Sequence, residues 1–245
     1  MTLGDPQGSR SGGGRTRAKL RAKRQLRAML TALAILVTCR ALVIGFYTVT
    51  SRSMFPTLLA GDWIVVNKMR YGAQVPFLAW HLPGYATPAA GDVAVFVSRQ
   101  LVGGGPSTPV LIKRIVGVAG DTLLMRGGVV RRNDLPNASD SAARPLSSLP
   151  YTERTLWWIR DQGVRGTRFG SPPKNPTVTD WGPIVVPRDS VFMMGDNVNG
   201  SEDSRHFGFI GARSIIGAAS AIYLTVAKEQ GHRSIRFDRI GGIGR

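Results

Sequence analysis

Cysteine is almost missing from this chain of 245 residues: Cys39 stands alone. No intramolecular disulfide can form, and no cysteine-based zinc cluster can assemble. Histidine is nearly as scarce, and the scatter of His81, His206 and His232 argues against a histidine metal site. Acidic residues are few, 15 against 32 Lys and Arg, which leaves a formal charge of +17. Familiar catalytic signatures are missing too: there is no GxSxG elbow, HExxH, CxxC or Walker loop. The one S-x-x-K, Ser171-Pro172-Pro173-Lys174, holds two prolines where a helical turn would be needed, so it is set aside as chance. What remains is a chain that is 43% hydrophobic, too apolar to be disordered throughout and long enough for one or two domains.

The excess positive charge first suggests a nucleic-acid or anionic-membrane partner. Its placement separates the two. Residues 1–27 hold eight Lys and Arg against Asp5 alone, +7 of the +17. The opening stretch is rich in Gly and Ser and has no apolar period, so residues 1–19 read as a disordered basic tail. From Ala28 to Thr50 the only charge is Arg40. One helix over that run would be roughly 34 Å long, enough for ~30 Å of hydrocarbon. A mid-bilayer arginine, however, costs about 2.5–3.5 kcal/mol. A helix from Leu20 to about Arg40, with the arginine snorkelling to the far interface, is cheaper. Residues 20–42 thus read as a single-pass transmembrane anchor, and the β-prone run from Val43 to Thr50 as a strand. Basic residues ahead of the anchor put the N-terminus in the cytoplasm and the body outside. A buried core helix and a cleaved signal peptide are the competing readings.

Beyond residue 50 the chain reads as strands. Gly61-Asp62, Gly91-Asp92 and Gly120-Asp121 each precede an apolar, β-rich run. Further runs are Val110–Val118, Val191–Met194 and Ala218–Val226, and no long segment keeps a 3.6-residue period. The expected fold is mostly β, with sheets around a shared core. Residues 131–182, rich in Pro, Ser, Asn and Arg around Leu156-Trp157-Trp158-Ile159, read as an irregular insertion between a first core part, 43–130, and a second, 183–227. Residues 228–245, five Lys and Arg against two acids, read as a basic C-terminal tail.

Two sites carry candidate chemistry. Ser51 and Ser53 follow the extended run and, in a strand, point to one face. Two adjacent hydroxyls can divide roles, one attacking and one donating to an oxyanion. In Leu111-Ile112-Lys113-Arg114-Ile115, alternation puts Leu111, Lys113 and Ile115 on one face and Ile112 and Arg114 on the other. A lysine between apolar neighbours is partly desolvated, which lowers its pKa and lets the neutral amine serve as a base.

Four blocks in order give the chain a family resemblance: the basic-then-apolar anchor ending in Arg40; S-R-S-M-F-P-T-L at 51–58 followed by Gly61-Asp62; K-R-I-V-G-V-A-G-D at 113–121; and G-D-N-x-x-x-S-x-D-S-R at 195–205. With these the chain resembles bacterial type I signal peptidases, membrane-anchored Ser-Lys endopeptidases. The resemblance spans roughly residues 20–130 and 183–227. It implies a barrel-like β catalytic domain outside the membrane, Ser53 as nucleophile, Lys113 as general base, and the Ser53 N–H with the Ser51 hydroxyl as oxyanion hole. It implies Ser201 as the group orienting the Lys113 amine, and Asp196, Asp203, Arg205 and Arg114 as supporting residues, with Arg114 paired to Asp196. Met54 and Pro56 match positions that shape the nucleophile loop. No cofactor or metal is implied. The implied partners are signal peptides of secreted preproteins, cut after A-x-A-type sites, and a bilayer with anionic lipids; a monomer and no nucleic acid are expected. Segments 46–51 and 109–113 are expected to flank the substrate as added strands. Thr50, Arg52 and Val198-Asn199 depart from the family pattern without removing a catalytic group; Arg52 puts bulk and charge beside the reacting serine. His206 reads as structural. Alternatives are a pilin-maturing peptidase with the same dyad logic, a tethered binding protein that has lost activity, and a nucleic-acid binder, for which no aromatic-basic face is present.

Overall fold

The computed structural model describes residues 12–74, 80–98, 109–133, 135–136, 159, 173–229 and 232–244. The chain divides into two compact units, one up to Ala41 and one from Leu42 onward. The first holds a helix, α1 (Gly12–Leu42), which begins inside the stretch expected to be irregular. Its described apolar side chains, among them Leu26, Met29, Leu33 and Leu36, are exposed. Among the described residues no helix is long and apolar enough to cross a membrane. Arg21, Lys23, Arg24 and Arg27 precede the uncharged run 28–39, roughly 18 Å long as a helix, and Arg40 follows it. Residues 20–42, expected as an anchor, are helical.

The second unit is mostly β, as the turn chemistry and alternation predict. Its larger sheet contains, in spatial order, β1 (Ile44–Thr48), β2 (Asp62–Asn67), β11 (Ile215–Glu229), β3 (Val93–Val97), β4 (Val110–Val118), β9 (Ser190–Met194) and β10 (Ile210–Gly211). Two short strands, β12 (His232–Ile235) and β13 (Gly241–Gly242), also pair with β11. Within the stretch 228–245, expected as a tail, residues 232–235 and 241–242 thus form strands, with a turn at Phe237–Arg239 between them. A smaller sheet runs β7 (Leu135–Pro136), β6 (Val129–Arg132), β5 (Thr122–Arg126) and β8 (Trp181–Val185). The expected insertion 131–182 therefore supplies strand residues at both its borders. Trp157 and Trp158 lie outside the described residues, while Ile159 is buried in a core cluster.

The three Gly-Asp pairs build one device three times. In each, the aspartate N–H donates to the carbonyl three residues back: Asp62 to Leu59, Asp92 to Ala89, Asp121 to Val118. Gly61, Gly91 and Gly120 have φ of 99°, 94° and 86°, the left-handed value a type II turn demands at its third residue. Each carboxylate then accepts the N–H of the turn's first residue, at 2.8, 3.2 and 2.9 Å. Each also takes an arginine from elsewhere: Arg239, Arg70 and Arg132 respectively.

β3 is covered on both faces. Val93 and Val95 pack with Met54, Leu58, Ile64 and Val66. Ala94 and Phe96 pack with Ile115, Val191 and Met193. A third cluster joins the sheets, setting Val116, Phe192 and Met194 against Leu123, Met125, Trp181 and Ile184. Each fully buried large side chain contributes about 1.5–3 kcal/mol. The alternation of β4 divides between these clusters, leaving Lys113 and Arg114 as its buried charges.

Candidate active site

The loop Ser51–Thr57 leaves β1 and is pinned from below. Met54 and Leu58 are fully buried, and Leu58 N–H donates to the Met54 carbonyl at 2.9 Å. This turn aims Ser53 inward, 7% exposed, while Ser51 and Arg52 remain exposed. Lys113 comes from β4, sixty residues away in sequence, and is 3% exposed. Its cross-strand partner is Ala94, whose small side chain leaves room for the lysine stem. Lys113 Nζ lies 2.7 Å from Ser53 Oγ and donates to it. Ser51 Oγ is 3.1 Å from Ser53 Oγ. The Ser53 carbonyl accepts from Asn197 N–H at 3.0 Å, and its own N–H donates to no group among the described residues.

Burial pulls the Lys113 amine below its ordinary value of 10.5. Asp203, Glu202 and Asp196 push it back up, and Arg205 pulls it down, without reversing the effect of burial. The site can therefore hold a neutral amine against a serine hydroxyl.

Two ion pairs flank the Ser53–Lys113 contact. Arg114 Nε and Nη2 fork onto both oxygens of Asp196, each at 2.8 Å. The same guanidinium donates to the Gly91 carbonyl at 2.7 Å and to Thr57 Oγ1 at 3.4 Å. Arg205 and Asp203 form a second fork at 2.8 and 2.9 Å, both side chains fully buried. Asp203 also caps the short helix Ser204–Phe207 and accepts from Gly195 N–H. Burial opposes ionisation of Asp203, but the charge and hydrogen bonds of Arg205 outweigh it and hold the carboxyl below its usual value.

Ser201 is buried and sits with the Ser53 carbonyl against Gly195, where any Cβ would collide with both. Its hydroxyl makes no well-formed hydrogen bond, although it is close enough to Asp203 to favour the carboxylate. The hydrogen bond to Lys113 expected of Ser201 is thus not made in this structure. His206 packs beside Asp203, with Nδ1 accepting from Asp203 N–H at 3.3 Å. Burial lowers its pKa, so it sits there as a neutral packing residue.

Sequence reasoning missed three residues that hold the loop. Asn197 grips it twice, through its N–H on Ser53 and its side-chain amide on the Arg52 carbonyl at 3.2 Å. Its place two residues after Gly195 in the last block could have marked it. Thr57 lies within the 51–58 block and could have been marked the same way, whereas Arg239 carries no comparable sequence signal.

The site thus sets a serine hydroxyl against a buried lysine amine, an arrangement whose chemistry is open to acyl transfer. The family model described as signal peptidase, peptidase S26, matches residues 22–224, and the chain belongs to that family of serine endopeptidases. It is similar to signal peptidase I of Pseudomonas fluorescens, 30% identical over 240 residues, covering 89% of this chain and 78% of that protein. Signal peptidase I of Pseudomonas aeruginosa is 29% identical with the same coverage. Probable signal peptidase I-1 of Synechocystis is 28% identical over 199 residues, covering 80% of each.

Proposed function

We propose that the chain removes signal peptides from exported preproteins after small residues, by a Ser53–Lys113 acyl-enzyme mechanism, while tethered to a bilayer. The observation that carries this reading is the 2.7 Å contact between two buried groups whose surroundings favour the neutral amine. Neutral Lys113 accepts the Ser53 proton as Oγ attacks the scissile carbonyl. The tetrahedral oxyanion is met by the Ser53 N–H, which has no other acceptor among the described residues, and by the adjacent Ser51 hydroxyl. Collapse breaks the C–N bond, and the Lys113 ammonium protonates the leaving amine. Water, deprotonated by Lys113, then hydrolyses the ester and frees Ser53.

Arg114–Asp196 and Asp203–Arg205 brace the site from two sides, and Ser201, stacked against Gly195, is the hydroxyl available to orient the amine once it turns from Ser53. One edge suits an extended substrate: among the described residues, residues 110–113 of β4 pair with β3 alone. A peptide laid along them would gain main-chain hydrogen bonds.

Tethering rests on α1, whose uncharged run 28–39 enters the bilayer while the flanking arginines and lysines reach its interfaces and anionic headgroups. The N-terminus is then cytoplasmic and the β unit extracytoplasmic. Exposed Phe46, Trp63 and Tyr223, stacked edge to face at 5.4 and 6.3 Å, form an aromatic patch suited to that interface. All groups of the site come from one chain, so a monomer suffices.

The test is cleavage of a model preprotein in detergent by the wild-type chain, Ser53→Ala and Lys113→Ala. Both variants are expected to be folded and inactive; activity surviving in either removes the dyad.

A further inference from the structure

We propose that Arg239 is a positioning residue for the reaction and that segment 236–244 straps the nucleophile loop from behind. This rests on the assignment of Ser53 as nucleophile. Arg239 Nη2 donates to Asp62 Oδ2 at 2.7 Å and to the Thr57 carbonyl at 3.1 Å, and Nε reaches Asp62 Oδ1 at 3.3 Å. Thr57 closes the loop that carries Ser53, and its hydroxyl is gripped from the other side by Arg114. Arg114 in turn follows Lys113 directly in β4. Thr57 is therefore a joint held by two guanidiniums, one belonging to the lysine's strand and one to the strap.

The strap is fastened at several further points. β13 pairs with β11 at Ala221 and Ile222, and Ile243 N–H donates to the Ser220 carbonyl at 3.1 Å. Ile243 packs on the cluster that contains Met54 and Leu58, the residues flanking the loop's turn. The Gly244 carbonyl accepts from Arg114 at 3.4 Å. A solvent-exposed Arg–Asp pair would be worth little, but Asp62 is fully buried and also accepts from Leu59 N–H and Thr225 Oγ1. Burial opposes ionisation of Asp62, and Arg239 with these donors outweighs it, keeping the carboxyl below its ordinary value. The guanidinium is thus fixed in place, and what it fixes is the backbone four residues past Ser53. A displacement of about 1 Å at a nucleophile costs on the order of 10² in rate.

The full chain in detergent, acting on a model preprotein, provides the test, with kcat and KM measured separately and Tm alongside. Arg239→Ala is expected to lower kcat roughly 10- to 100-fold with little change in KM, and added guanidinium salt to restore part of it. Arg239→Lys, which keeps the charge but cannot fork onto Asp62 and Thr57 together, is expected to fall between. A folded Arg239→Ala with wild-type kcat, or with a loss confined to KM, overturns the proposal. Should the alanine variant fail to fold, Arg239→Lys decides, and wild-type kinetics there overturn it equally. Ser53→Ala runs in parallel. If it is inactive while the Arg239 variants keep full activity, the strap alone is refuted; if it is active, the nucleophile assignment itself has failed.

Discussion

The two ion pairs beside Lys113 use the same chemistry for different work. Arg114 and Asp196 stand 82 residues apart, and their side chains keep slight exposure, 6% and 13%. Through Arg114 the pair ties β4 to the Gly91 turn, the Ser51–Thr57 loop and the 195–196 loop at once. Asp203 and Arg205 are two residues apart and fully buried, and the remaining donors of Arg205 are spent on the carbonyls of Val178, Val198 and Ser201. The first pair joins segments and the second fixes one turn and the field within it. They meet at one peptide: Gly195 N–H donates to Asp203, while the next residue, Asp196, takes Arg114. A long-range pair constrains geometry between elements; a buried local pair is a stability liability if either half is lost.

That contrast sets the order of expected effects. Asp203→Asn leaves a guanidinium buried without its counter-charge and should cost about 3–5 kcal/mol in urea unfolding. Asp196→Asn keeps the shape and some solvent access, so about 1.5–3 kcal/mol is expected, with a fall in kcat because Thr57 and Gly91 lose their common tie. Equal losses of stability in the two variants would break the distinction. The smallest effects are those of pH. The activity of the wild-type chain should rise as Lys113 deprotonates, with the midpoint of the acid limb below 10.5. The same lowered value means the folded state binds the proton less tightly than the unfolded chain. Burial of Lys113 therefore costs stability at low and neutral pH, and that cost fades as pH rises. Lys113→Met should be inactive yet melt higher than wild type near neutral pH, the gap closing in alkali. A lower Tm for that variant would show that burial of the charge is not what lowers the amine's pKa. Asp203 makes a favourable contribution where Lys113 makes a cost, and stability likewise rises with pH: the contribution is complete above the unfolded value of 3.8 and is lost as pH falls from there through the folded value.

Much of the β unit was legible because its cues are local. Gly followed by Asp needs only four residues to close a turn, so all three turns could be read, and the alternation around Lys113 gave its neighbours on either face. The arginine each turn would recruit was not legible, since Arg70, Arg132 and Arg239 look like any other surface charge until the sheet brings them in. Ser53 and Lys113 could be named from ordered motifs, whereas the grip of Asn197 and Thr57 on the loop shows only once the fold brings Asn197 to the Ser53 and Arg52 carbonyls and Arg114 to the Thr57 hydroxyl. The strands within 228–245, expected as a tail, were illegible for the same reason: the four residues of β12 and the two glycines of β13 carry no hydrophobic period. The helix limits were blurred by a run in which basic and apolar residues favour helix equally.

The position of β11 between β2 and β3 has a consequence for the order of events in making this protein. Ser53 belongs to the β1–β2 side and Lys113 to the β3–β4 side, and those two sides exchange no strand pairing among the described residues except through β11. β11 is made of residues 215–229. A chain emerging from its N-terminus carries both reactive groups long before it carries the strand that joins them. Closing such distant pairings is slow, so a nascent chain would hold Ser53 and Lys113 without the strand that joins their two sides until residues 215–229 had emerged.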